Sequence, residues 1–131
     1  MILIAQAELD PLYLVKFQKE TRMDKNLFQL LKWFYNQCDG DWEHCYGIQI
    51  TSLDNPGWNV IINLSETNLQ NKPFSEIALE RTEKDWVFCI VKEDSFYGNC
   101  GIFNLPEVLQ IFADWAEIKI ESNDSNTVDT I

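Results

Sequence analysis

Histidine and arginine are nearly missing from this chain, with one His and two Arg among 131 residues. A lone imidazole, His44, cannot build the repeated His and Cys spacing of a zinc site, and any catalytic triad would rest on it alone. The cysteines at 38, 45, 89 and 100 never form C-x-x-C and are too scattered for a disulfide scaffold, so reduced thiols and a cytoplasmic setting are expected. No run of eighteen apolar residues occurs, which predicts no membrane span. The opening MILIAQAELDPLY lacks a basic leading region, and its apolar run is too short for a secretory signal. Neither G-x-S-x-G, a phosphate-binding P-loop nor G-x-G-x-x-G is present, and neither Arg22 nor Arg81 closes a loop opened by a cysteine.

Bases are also scarce. Twenty-one acids face ten bases, a formal charge of −11. The first 25 residues hold four of each sign, so the whole excess follows them. A phosphate backbone is repelled by such a balance, and nucleic-acid binding is not expected. A basic protein is attracted, although acidity also serves plain solubility.

What the chain does have is apolar mass: 46% of its residues, with five Trp and eight Phe. That composition supports one domain with an aromatic core. The expected organisation is an N-terminal extension over residues 1–22, a single domain over 23–120 and an acidic tail over 121–131. Met23 is a second candidate initiator. Leu27, Leu30, Leu31, Phe34 and Cys38 recur at helical spacing, with Phe28, Trp33 and Tyr35 widening that face. Tyr46, Ile48 and Ile50 alternate, as do Trp58, Val60, Ile62 and Leu64, and Asn55-Pro56-Gly57 between them predicts a type II turn with Gly at positive φ. Ser65 to Pro73 reads as a polar connection. Ile77 with Leu79, then Trp86, Phe88 and Ile90, predict two more strands joined across Glu83-Lys84-Asp85, and a fifth passes through Phe96 to Cys100. Asn104, Pro106 and Glu107 then open a helix whose face is Leu105, Val108, Leu109, Phe112, Trp115 and Ala116. The expected fold class is α+β: an antiparallel meander of four to five strands flanked by an N-terminal and a C-terminal helix.

Chemistry concentrates between Cys38 and Trp58. A calcium loop opening at Asp39 needs Gly at its sixth place and Glu at its twelfth, where this chain has His44 and Ile50. No metal or cofactor is expected. His44 beside Asp41 and Glu43 has the groups of a general base, which leaves a His44-dependent hydrolase as one alternative and a small regulatory or ligand-binding domain as another. A structural, hydrogen-bonding His is the commoner role. Trp42 has two readings: an exposed anchor among acids, or a ring folded over the sheet edge.

The stretch WFYNQCDGDWEHCYGIQITSLDNPGW resembles the signature of the immunity protein 53 family of bacterial polymorphic toxin systems. The likeness rests on Trp33, Tyr35, Cys38, Gly40, Asp41, Trp42, Glu43, His44, Tyr46 and Gly47, then on Leu53, Asp54, Asn55, Pro56, Gly57 and Trp58. Cys45 departs from the small residue often found there. NKPF at 71–74, ERTEKDW at 80–86 and Asp114-Trp115 extend the similarity over about residues 24–118. The resemblance implies a small protein without enzymatic activity that neutralises a cognate toxin by binding it. An acidic binder suits a basic toxin, such as one that attacks nucleic acids. On this reading Asp39, Asp41, Glu43 and Asp54 supply the field, Trp42 and Trp58 the anchor, and His44 stands among them as a toxin-binding candidate.

Overall fold

Cross-strand register assigns every side chain of the sheet to one of two faces. The computed structural model describes residues 24–117; the expected extension 1–22 and tail 121–131 lie outside the described residues. In chain order the elements are α1 (Lys25–Gln37), a one-turn α2 (Trp42–Cys45), β1 (Ile48–Leu53), β2 (Gly57–Asn63), β3 (Ile77–Thr82), β4 (Asp85–Lys92), β5 (Ser95–Cys100), a 3-10 turn (Ile102–Asn104) and α3 (Leu105–Ala116). The five strands form one antiparallel sheet, giving the expected α+β class.

Strand order is β1-β2-β5-β4-β3, so the meander runs only through the last three strands and the β1–β2 hairpin joins it beside β5. The link from β2 to β3 must therefore cross to the far edge. It does so as a packed strap, not as the polar connection expected. Leu64 and Leu69 are buried, and Phe74 meets the rings of Phe96 at 5.6 Å and Trp115 at 5.3 Å. Trp115 Nε1 donates to the Pro73 carbonyl (2.7 Å), and Lys72 Nζ to the Trp115 carbonyl (2.6 Å), pinning the strap to α3.

The inner face is continuous across the register: Ile62 opposite Phe96 opposite Val91, Val60 opposite Gly98 opposite Cys89, and Trp58 opposite Cys100 opposite Val87. The two helices cover it. Phe112 of α3 packs edge-on against Phe96 (5.2 Å) and against Trp33 of α1 (5.2 Å). Such aromatic pairs add about 0.5–1.5 kcal/mol each beyond the area they bury. α3 buries the face expected of it, through Val108, Leu109, Phe112 and Ala113. α1 is rotated from expectation. It buries Phe28, Gln29, Leu30 and Trp33, while Leu31 is 43% exposed, because the large Trp33 ring sets the seam against α3.

Both helices begin at the end of the sheet that carries the β1–β2 and β3–β4 turns, where Asn26 Nδ2 donates to the Pro106 carbonyl at 3.3 Å. They finish at the opposite end, beside the 38–47 segment, the strap and the β4–β5 turn. That turn, Glu93-Asp94, has φ of 51° and 58°, the type I′ geometry that matches strand twist.

Candidate functional site

The segment Cys38–Gly47 turns α1 into β1, and nearly every polar group in it is used to make that turn. Gly40 has φ +97°, a conformation side chains rarely adopt, which is why glycine stands there. The Glu43 carboxylate reaches back to accept from the Asp39 N–H (3.0 Å) and the Gly40 N–H (2.8 Å). Asp39 Oδ1 accepts from the Asp41 N–H (2.9 Å) and the Trp42 N–H (3.0 Å). The Asp39 bonds satisfy donors at the start of the one-turn helix, and the Glu43 bonds satisfy those of the turn that leads into it. The donors at Trp42 and Asp41 hold the Asp39 carboxyl below its ordinary value. Asp41 and His44 are exposed and point to no partner among the described residues.

Trp42 is the clearest correction to the sequence reading. Its ring is 3% exposed, wedged between Trp33 (6.0 Å), Phe34 (5.9 Å) and Tyr46 (5.9 Å), and its Nε1 donates to the Ser65 carbonyl at 2.8 Å. A partner protein cannot reach it. The physical reason is that the turn between acids points back under α1, so the largest apolar side chain falls into the core and ties α1, the turn and the strap together.

At the other end of β1, Asp54 is exposed in the hairpin loop Asp54–Pro56. The expected type II turn needs Gly57 at positive φ, and Gly57 does not adopt it, so the loop is built differently. Gly57 already lies in β2 and is needed for space: an added Cβ would collide with the Cys100 carbonyl oxygen across the ladder. Trp58 is half-buried on the inner face and donates Nε1 to the Ile102 carbonyl at 3.0 Å. It braces the turn before α3. Six residues of β1 separate the two groups, about 17 Å at the usual strand rise. The candidate residues Asp39, Asp41, Trp42, Glu43 and His44 therefore sit at one end of the sheet, and Asp54 and Trp58 at the other. They do not converge.

Three of the four cysteines, Cys38, Cys89 and Cys100, are poorly placed for nucleophilic chemistry, whereas Cys45 is exposed. Burial pushes the Cys89 thiol up to about 12 and Cys100 to about 11, and burial with the nearby carboxylates of Glu43 and Asp39 raises Cys38. Cys38 Sγ also donates to the Phe34 carbonyl (3.2 Å). Among the described residues no three His, Cys, Asp or Glu side chains gather as metal ligands would, and no helix is long and apolar enough to cross a membrane.

The family model described as immunity protein 53 matches residues 27–117, most of the chain and almost the whole described body. The chain belongs to the immunity protein 53 family. No curated protein and no solved structure matches it. Seen on this immunity protein 53 fold, the C-D-G-D-W-E-H run is a device for turning a helix into a sheet: Gly40 supplies the φ, Asp39 and Glu43 the caps, and Trp42 the core contact. The D-N-P-G-W run likewise closes a hairpin and braces α3. The residues that carry the likeness are largely those that build the fold.

Sequence reasoning passed over the pair Ile102-Phe103. It stands between the end of β5 and the first residue of α3 and belongs to neither periodicity, and that was the one available signal that these apolar side chains have no place in the core.

Proposed function

We propose that this protein is an immunity protein that binds and neutralises a cognate toxin protein in the cytoplasm, by occupying it and without transforming a substrate. The single observation that carries this reading is membership of the immunity protein 53 family over residues 27–117. Charge supports it: residues 24–117 contain 15 acids against six bases, which suits a basic toxin of the kind that attacks nucleic acids. Asp39, Asp41, Glu43 and Asp54 contribute to that field, and the exposed His44 stands next to Glu43 in the chain. Steering by such a field raises association rates roughly 10- to 1,000-fold and fades with salt.

The test is co-expression with candidate toxins drawn from the genes next to this one, followed by purification of the complex. Rescue of growth and a stable 1:1 or higher-order complex are expected. Loss of rescue in a His44→Ala variant that still binds the toxin would instead point to turnover and sink the binding-only mechanism.

A further inference from the structure

The 3-10 turn Ile102–Asn104 places two large apolar side chains in water. Phe103 is 90% exposed and Ile102 46%. The turn beneath them is firmly held. Gly101 N–H donates to the Trp86 carbonyl (3.1 Å), Asn104 N–H to the Gly101 carbonyl (3.1 Å), and Trp58 Nε1 to the Ile102 carbonyl (3.0 Å). The Asn104 side chain accepts from the Trp86 N–H (3.3 Å) and donates to Asp85 (2.9 Å) and Glu107 (3.2 Å). Arg81 closes the network through Asp85 (3.1 Å) and Glu107 (2.5 Å). A ring presented by a backbone this constrained has little ordering cost left to meet on binding, and preorganised aromatics of this kind act as interface anchors.

One concavity flanks the tip, and a second adjoins the first. A cleft of about 370 Å³ runs between Phe103, Pro56 and Lys84. It adjoins, through Asn55 and Glu83, a groove of about 510 Å³ lined by Trp86, Phe88 and Glu80. Glu80 pairs with Trp86 across the β3–β4 ladder and so shares its face. Neither Glu80 nor Glu83 forms an ion pair among the described residues, whereas Arg81 already engages the neighbouring Asp85 and Glu107. Aromatic rings beside uncommitted carboxylates suit a guanidinium or ammonium group, by cation–π attraction and charge-assisted hydrogen bonding.

We infer that this tip is the toxin-docking surface: Phe103 enters an apolar pocket of a basic protein, and an Arg or Lys of that protein lies in the Trp86 groove against Glu80 and Glu83. The inference rests on the immunity reading above and names the surface it uses. The acids of the Cys38–Tyr46 segment, a strand length away, then act on the encounter and not on the contact.

The experiment measures affinity and association rate for the toxin domain recovered in that co-expression test, purified as a catalytically inactive variant. Phe103→Ala is expected to weaken binding roughly 30-fold or more, as hot-spot truncations do. Glu80→Lys with Glu83→Lys is expected to slow association about tenfold at low salt, with the gap closing as salt rises. Leu31→Ala, at another exposed apolar position on α1, and Asp41→Ala stay within about threefold. Thermal denaturation shows that each variant is folded. Wild-type binding that Phe103→Ala leaves within threefold overturns the docking surface while sparing the immunity function. Failure of the wild-type chain to bind overturns both. A wild-type dimer that Phe103→Ala converts to monomer, by sedimentation, assigns the tip to a second copy and also overturns the inference.

Discussion

The two ends of the sheet spend similar residues in opposite ways. At the end that carries Cys38–Gly47, acids and rings turn inward: Asp39 and Glu43 cap backbone donors, and Trp42 is buried with its indole nitrogen bonded to Ser65. At the end that carries Ile102–Asn104, a polar network of Arg81, Asp85, Asn104 and Glu107 holds a turn whose Phe103 faces water. An aromatic flanked by acids in the sequence is the core residue. An aromatic that follows apolar Ile102, with no acid beside it, is the exposed one. Local composition does not report exposure; the direction in which a turn points does.

Substitutions at the two ends break or sharpen that contrast. The largest expected effect is on Trp42→Ala, which leaves a cavity among Trp33, Phe34 and Tyr46 and should destabilise the fold by about 3–5 kcal/mol in urea denaturation. A loss below about 1 kcal/mol would mean that the ring is not the tie described. Next comes Gly57→Ala, whose Cβ is driven into the Cys100 carbonyl within the β2–β5 ladder, at a cost of about 1–3 kcal/mol by the same measurement.

Glu43→Ala removes the acceptor for two backbone donors and should cost about 1 kcal/mol. Its neighbour Asp39 adds a pH dependence of definite sign. Its folded pKa is depressed below 3.8, so its contribution is fully present above that value and is lost as pH falls through the folded pKa. Stability followed by urea denaturation between pH 5 and pH 2 should therefore fall less steeply in Asp39→Asn than in the wild type. Equal slopes would show that the caps on α2 contribute nothing. The smallest effect is expected for Phe103→Ala, within about 0.5 kcal/mol of wild type, as for other surface positions. A larger loss would make Phe103 a fold residue and erase the contrast between the two ends.

Legibility followed periodicity. α3 was readable because Val108, Leu109 and Phe112 repeat at helical spacing and face one sheet. The strands were readable from alternation. The strap was not, because Leu69 and Phe74 stand singly among polar residues and only the strand order shows what they pack against. α1 was half legible: its existence follows from spacing, but with Phe28, Leu31, Trp33 and Tyr35 all apolar the spacing cannot say which arc is buried. Of the candidate site, the family could be read from the ordered string Cys38–Trp58. The geometry could not, since residues adjacent in that string are parted by the length of β1.

By itself the sequence determined the element types, the antiparallel class, the acidic character and the family, because each depends on the order or the sum of residues along the chain. The tertiary structure alone decided that Trp42 is core, that Asp39 and Glu43 serve the backbone, and that Phe103 meets solvent beside uncommitted carboxylates. Burial is a property of what surrounds a side chain in space, and for Trp42 and Phe103 that includes segments twenty or more positions away: Ser65 for Trp42, and Trp58 for the turn that carries Phe103.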